Sequence, residues 1–300
     1  MSAEPVPPKH TRLLTFFSIG LSLVMAVVVG MTLLELDWHE IGALLPSSPL
    51  FWLVFAAFYM GAPLGDWFAF RQIWPVGKGA LAATSRKQVF NEIVVGYLGE
   101  AYFYTWAKRR IPEYHGTTPF AAVKDVAILS AFAGNATMVA LLVMLWPQMG
   151  DDLLASGRGE IFWSLAVVIG VSLLILLVRK QVFSITRAKA LAIFAIHLAR
   201  NIAKVLLAGV MWSLIVPDVP LVWWLYLATL RQLVTRLPLV SSKDLIFAGL
   251  AVLLLPDQPL IAATMALTAA LLVAAHVVVG IVLLRGDIRD LLKAGRAPAA

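Results

Sequence analysis

The sequence contains no cysteine and few charged residues. Without cysteine the chain can form neither a disulfide nor a thiolate metal site. Only 14% of its 300 residues are Asp, Glu, Lys or Arg, whereas 61% are hydrophobic. A soluble globule of this length carries about 25% charged residues, so the composition leaves too little polar surface to cover one. We therefore predict an all-α polytopic membrane protein, since helices satisfy their own backbone hydrogen bonds in lipid.

The sequence also lacks the usual catalytic and metal-binding motifs. Its five histidines include no pair at metal-ligand spacing. It contains no nucleophile elbow, phosphate loop or dinucleotide fingerprint. We expect neither a metal nor a cofactor, and we favour a binding or transport protein over an enzyme.

The net charge of +7 is explained by membrane orientation. Most Lys and Arg residues fall between apolar segments, in loops that the positive-inside rule assigns to the cytoplasm. Attraction of these loops to anionic lipid accounts for the excess. We expect no nucleic-acid partner.

The first apolar run extends from Leu13 to Leu34, just after Lys9 and Arg12. It is too long for a signal peptide, and no small-x-small cleavage site follows it. At about 1.5 Å per residue it spans roughly 33 Å, enough to cross the hydrocarbon core. Residues 1–12 are therefore expected to be a cytoplasmic tail.

Apolar runs and basic loops together predict about six full crossings and two hairpins. The crossings are 13–34, 49–70, 119–146, 161–178, 190–216 and 260–284, and the hairpins are 88–106 and 221–255. Each hairpin is expected to enter and leave the membrane on the same side, although two full crossings at 221–255 would satisfy the charge rule equally well.

This topology makes residues 13–284 one transmembrane domain with two half-repeats. The halves, 13–146 and 161–284, each run helix, helix, broken hairpin, helix, and the second half is upside down. Inverted repeats of this kind bring two discontinuous elements together near the bilayer midplane. The basic tail 285–300 is then cytoplasmic, as is the N-terminus. We expect a multi-pass protein of the plasma membrane, that is, the bacterial inner membrane.

The first hairpin contains two carboxylates and two glycines within an apolar run. Three roles are open for Glu92 and Glu100. They line a cavity, they brace the hairpin against a basic helix, or one of them serves as a general base. Gly96 and Gly99 are expected to permit a turn and close packing.

A basic face is predicted on the fifth crossing. His197, Arg200, Asn201 and Lys204 are spaced three, four and seven residues apart, which places them on one side of a helix. Burying each cation costs at least about 2.5–3.5 kcal/mol. Two interpretations remain open. The face binds phosphate, with Arg231 and Arg236 completing the site, or carboxylates neutralise it internally, the candidates being Asp66, Glu92, Glu100 and Asp125.

Two of these carboxylates also have nearby sequence neighbours that suggest other partners. Asp66 lies one turn before Arg71, so we expect it to form an ion pair near the membrane interface. Lys124 and Asp125 lie near the start of the third crossing, where we expect a solvated pair.

The two hairpins carry a family resemblance. The turn Val95-Gly-Tyr-Leu-Gly-Glu100, followed by basic residues, resembles the first turn of the transmembrane region of lysylphosphatidylglycerol synthases and related flippase-like proteins. Arg236-Leu-Pro238 is similar to the later Leu-Pro turn of that family. The chain departs from it at Ser241-Ser-Lys-Asp244, where the family has a glycine-rich stretch ending in glutamate.

The resemblance implies a protein that flips or presents anionic or isoprenoid-linked lipids. It covers only the membrane part of the synthases, and about sixteen residues follow Leu284, so we do not expect aminoacyl transfer. A membrane-embedded lipid headgroup transferase or hydrolase, with Glu92 or Glu100 as base, is the first alternative. The second is an accessory subunit of a lipid or envelope-glycan biosynthetic complex. Candidate protein partners are a second copy of the chain or a biosynthetic enzyme.

Overall fold

The computed structural model describes residues 45–77, 79–94, 97–111, 116–145, 182–234, 243–254 and 258–294. Every regular element in these ranges is helical, which confirms the all-α class. In chain order they are α1 (Pro49–Arg71), α2 (Gly79–Val89), a π-helical turn (Phe90–Val94), α3 (Leu98–Arg110), α4 (Pro119–Leu145), α5 (Arg187–Ile215), α6 (Leu221–Val234), α7 (Lys243–Leu254) and α8 (Pro259–Ala294).

Four of these helices have segments long and apolar enough to cross a membrane: Pro49–Arg71, Pro119–Leu141, Arg187–Ile215 and Pro259–Leu283. They coincide with four of the six predicted crossings and indicate a membrane protein. The other two predicted crossings, 13–34 and 161–178, lie outside the described residues.

Both segments predicted as hairpins are largely helical where the structure describes them. The segment 88–106 contains the end of α2, the π-helical turn and most of α3, and the segment 221–255 contains α6 and α7. The turn of the second hairpin, 235–242, lies outside the described residues. Re-entry into the membrane from one side and the inverted repeat therefore stay predictions.

The chain divides into two compact units. The larger unit contains the described residues within 48–85 and 100–233, and the smaller contains those within 86–99 and 234–294. In the larger unit α5 packs against both α1 and α4. Its buried positions recur every three or four residues, so one helical face carries the contacts. The buried positions at this spacing are Ile193, His197, Asn201, Val205, Ala208 and Trp212, and Gly209 and Met211 are buried beside them.

The C-terminal end of α1 is fixed by aromatic packing in the larger unit. Phe70 stacks on Phe103 of α3 with ring centroids 4.2 Å apart. Trp74 stacks on Phe70 at 5.8 Å, and Trp106 stacks on Phe103 at 5.2 Å. The four rings form a continuous apolar cluster that joins the end of α1 to α3.

A buried acid joins the start of α4 to the segment before α5. Asp125 has no exposed surface. Its Oδ2 accepts from the backbone N–H groups of Ser184, at 2.7 Å, and Ile185, at 3.2 Å. Lys124 donates to the Val182 carbonyl and lies 3.4 Å from Asp125. The expectation of a solvated pair was wrong, because Asp125 receives backbone donors from a segment about 60 residues away.

The smaller unit is organised around α8, which packs against α7 and the π-helical turn. Arg86 donates to the Leu283 carbonyl at 3.0 Å. The Gly99 N–H donates to Asn91 Oδ1 at 2.7 Å, which closes the loop between the two arms of the first hairpin. Helix α8 continues from its apolar part through Ala294 without a break.

Candidate functional site

Two basic side chains of α5 closely approach two glycines of α1. A Cβ at Gly65 would lie 2.5 Å from Arg200 Cδ, and one at Gly61 would lie 3.4 Å from Lys204 Cγ. The two contacts run in opposite directions along the chain, so α1 and α5 are antiparallel here. Sequence reasoning missed this contact, although Gly61-Ala-Pro-Leu-Gly65 has the small-xxx-small spacing that lets membrane helices approach closely.

Arg200 is held by three side chains. Its Nη1 donates to Asp66 Oδ1 at 3.1 Å, and its Nη2 donates to Ser130 Oγ at 3.1 Å. Its Nε and Nη2 donate to Asn201 Oδ1 at 3.3 and 3.2 Å. Helices α1, α4 and α5 therefore converge on one guanidinium group. Of the two interpretations of Arg200, the contacts favour internal neutralisation by Asp66.

The partner of Asp66 differs from the one expected. Asp66 pairs with Arg200, whereas Arg71 lies over the ring of Trp67, with its Cζ 4.7 Å from the centroid. The expected pair within α1 was wrong because α5 brings a guanidinium to the buried face on which Asp66 lies. Since Asp66 is five residues before Arg71, the pair lies roughly 7.5 Å from the end of α1.

Lys204 and Arg231 meet at one aromatic ring. Lys204 Nζ lies 4.6 Å from the centroid of Phe58, and Arg231 Cζ lies 4.9 Å from the same centroid. Phe58 and Arg231 are buried. The two cations come from α5 and α6, so tertiary packing brings together two predicted site residues that are far apart in sequence. Phe58 itself has no signal in the sequence, since one phenylalanine in an apolar helix is unremarkable.

The other predicted residues on α5 are deeply buried. His197 has no exposed surface, and Asn201 is 5% exposed. Asn201 uses Oδ1 for Arg200, while its Nδ2 has no hydrogen-bond partner among the described residues. A buried amide N–H₂ is a donor for an anionic oxygen. On the predicted basic face of α5, Arg200 therefore pairs with Asp66, and Lys204 lies over Phe58, as does Arg231 of α6.

The predicted hairpin residues occupy different places. Glu92 is half-buried in the π-helical turn of the smaller unit, and Glu100 is half-buried in the first turn of α3, in the larger unit. Gly99 lies so close to α2 that an added Cβ would be 2.1 Å from the Lys87 carbonyl oxygen. Gly96, Arg236 and Pro238 lie outside the described residues.

The two glycines of α1 give a matched test of the close approach. We expect Gly65→Ala to lower the free energy of unfolding by about 1–3 kcal/mol, because the new methyl displaces the stem of Arg200. Gly61→Ala meets an ordinary contact and gains helix propensity of about 1 kcal/mol, so it should be neutral or stabilising. Denaturant titration in detergent micelles, followed by tryptophan fluorescence, measures both. Equal changes in the free energy of unfolding for the two variants would contradict the tighter packing at Gly65 than at Gly61.

Within the described residues, no three His, Asp or Glu side chains are grouped as a metal site requires. No protein-family model, curated protein or solved structure matches this chain.

Proposed function

We propose that this protein binds the phosphate group of a membrane lipid at Lys204 and Arg231 and moves the lipid between leaflets or presents it to an enzyme. The observation that carries this proposal is the meeting of two cations from different helices over Phe58. Intramembrane charge is rare, and it marks substrate pathways more often than structure alone.

The chemistry of the pair suits a phosphate. Both cations near this ring attract an anionic phosphate. The negative face of Phe58 contributes about 0.5–2 kcal/mol to each cation. The Arg231 guanidinium can donate two parallel hydrogen bonds to phosphate oxygens, and the Lys204 ammonium adds a mobile point charge.

Arg200 has a positioning role in this proposal. Asp66 balances its charge, and Ser130 and Asn201 fix its orientation. The paired group therefore adds little net charge for an anion, but it holds α5 in register with α1. This register aligns Lys204 with Phe58, and it leaves the Asn201 Nδ2 donor for a ligand oxygen.

The wider arrangement that we propose retains six full crossings and two re-entrant hairpins in an inverted repeat, with both termini in the cytoplasm of a bacterial cell. The basic loops favour this orientation. Acyl chains would stay in the bilayer while the headgroup crosses along the cations. Glu100, in the larger unit, would line the path of the headgroup.

Neutralising the two cations tests the proposal. In proteoliposomes, we expect Lys204→Gln and Arg231→Gln each to lower the transfer of a labelled anionic phospholipid between leaflets about tenfold. The reason is that each loses a charge-assisted hydrogen bond of about 1.5–3 kcal/mol. Dithionite quenching of a fluorescent headgroup label measures the leaflet distribution over time.

Lys189→Gln is the matched control, since it removes the same charge from an exposed position on α5. It should leave the transfer rate unchanged. If the unaltered protein moves no anionic or polyprenyl-linked lipid faster than empty vesicles do, transport is excluded. Retention of such a lipid on the purified protein, with loss in both variants, would then support presentation to an enzyme.

A further inference from the structure

A pocket lies just beyond the end of α1, away from the basic face of α5. It has a volume of about 250 Å³ and is formed by the segment that follows α1 and by the last turns of α3. Trp74, Gly77 and Gly79 line it from the first side, and Trp106 and Arg110 line it from the second. None of these residues belongs to the proposed phosphate site at Lys204 and Arg231.

One wall of the pocket is rigid and aromatic. Trp74 and Trp106 are the two ends of the ring stack that runs through Phe70 and Phe103. The Trp74 indole N–H donates to the Thr117 carbonyl at 3.2 Å, which fixes the ring. Tryptophan combines an apolar body with a polar edge, so it suits a site where lipid meets water.

The opposite wall is open and made of backbone. Among the described residues, no heavy atom lies within 4 Å of a Cβ added at Gly77 or Gly79. A side chain at either position would therefore extend into free space beside the pocket. The Gly77 carbonyl accepts from the Trp67 indole at 3.3 Å, which ties this wall to α1.

The rim is cationic. Arg110 lines the pocket and is exposed, as are Lys108 and Arg109 in the same turn. Arg71 stacks on Trp67, the residue that holds the Gly77 carbonyl, so a second guanidinium is anchored near the same wall. Arginine recognises phosphate through its planar fork of donors.

The position along α1 places the pocket at a membrane surface. Helix α1 is a candidate span that ends at Arg71, and the pocket begins three residues later. The positive-inside rule assigns this basic end to the cytoplasmic side, where anionic lipids are enriched. We propose that the pocket binds the phosphate-bearing headgroup of an anionic phospholipid from the cytoplasmic leaflet, as a second lipid site that holds the protein at the interface.

Size and chemistry single out a headgroup as the occupant. The volume falls below the 300–1,000 Å³ range of pockets that enclose drug-sized ligands. A compact phosphate ester fits the cavity, and the attached acyl chains can remain in the bilayer beside α1. The membrane itself also brings a lipid to this site, whereas a soluble anion has to reach it from solution.

Paired variants test this site. The full chain is reconstituted in nanodiscs of phosphatidylcholine with a minor fraction of phosphatidylglycerol, and the lipids retained on the released protein are counted by native mass spectrometry. We expect Arg110→Gln to lower the preference for phosphatidylglycerol about tenfold or more, because a charge-assisted hydrogen bond is lost. Gly79→Trp places a bulky ring in the open space beside the pocket, where it obstructs the headgroup, and should lower the preference as much without changing charge.

Arg109→Gln is the control, since it removes the same charge from an exposed neighbour in the same turn that does not line the pocket. In about 1 M salt, where the Debye length is about 3 Å, it should retain the preference of the unaltered protein. Equal loss in Arg109→Gln and Arg110→Gln would overturn the proposal in favour of general attraction to the basic turn. An unchanged preference in Arg110→Gln or in Gly79→Trp would also overturn it.

Soluble glycerol 3-phosphate separates a lipid from a free phosphate ester. We expect no displacement of the retained lipid by it, whereas displacement at low concentration would show a site for soluble anions. The loss caused by Arg110→Gln should persist when it is measured in a Lys204→Gln background, because the two sites bind lipid separately. The proposal of the surface pocket and the proposal of the transport site can therefore be refuted independently of each other.

Discussion

Asp66→Ala is expected to destabilise the larger unit by about 3–5 kcal/mol. The substitution removes the carboxylate that accepts from Arg200 at 3.1 Å and leaves a guanidinium in a largely buried site, since the Arg200 side chain is 15% exposed. Breaking a buried ion pair by removing one partner costs this much because the remaining charge has lost its compensation. Denaturant unfolding in detergent micelles measures the loss.

A second substitution separates the lost pair from lost packing. In Asp66→Ala combined with Arg200→Met, no uncompensated charge remains, so we expect the double variant to be more stable than Asp66→Ala alone. Asp218→Asn serves as control, because Asp218 lies exposed in the turn between α5 and α6, and its change should stay within about 0.5 kcal/mol. If Asp66→Ala behaves like Asp218→Asn, the pair does not hold α1 to α5.

Gly99→Ala is expected to prevent the first hairpin from closing, at a cost of about 3 kcal/mol or more. Its Cβ would lie 2.1 Å from the Lys87 carbonyl oxygen and 2.7 Å from Asn91 Oδ1. A backbone carbonyl cannot rotate away as a side chain can, so the two arms must separate. The cost combines overpacking with the loss of the Gly99–Asn91 hydrogen bond.

The absence of cysteine makes this prediction simple to measure. Tyr97→Cys places a single thiol at the turn, where Tyr97 has a φ of 72° and is 59% exposed. Maleimide labelling should be faster when Gly99→Ala is added. Gly280→Ala is the control, because its Cβ would meet Val89 Cγ1 at an ordinary 3.4 Å. Unchanged labelling in the Gly99→Ala background would contradict closure by this contact.

The described contacts divide the predicted basic face into two parts with different chemistry. Arg200 is compensated by Asp66, so its burial is explained without a ligand. Lys204 and Arg231 both lie over Phe58, whose ring attracts cations. The phosphate site that we propose comprises Lys204 and Asn201 of α5 together with Arg231 of α6. Exposed apolar surface on the same helices, such as Leu191 and Leu206, is ordinary for helices that face lipid.

The sequence determined the helices and the side of α5 that is buried. The crossing predicted at 119–146 is helical from Pro119 to Leu145, and the one predicted at 190–216 is helical from Arg187 to Ile215. These features are local, because an apolar run of sufficient length satisfies its backbone only as a helix. The spacing of His197, Arg200, Asn201 and Lys204 is local too, since 3.6 residues complete a turn.

Only the tertiary structure decided which groups meet. Four carboxylates were candidates to neutralise the basic face, and the antiparallel register of α1 and α5 selected Asp66. The same register brought Phe58 to Lys204, and the packing of α4 against α5 brought Asp125 to the backbone before α5. Ion pairs and ring contacts act over a few ångströms between helices, and their partners depend on how the helices are aligned. The spacing of residues within one helix does not specify how that helix is aligned with another. The pairing could therefore be seen only in the packed structure.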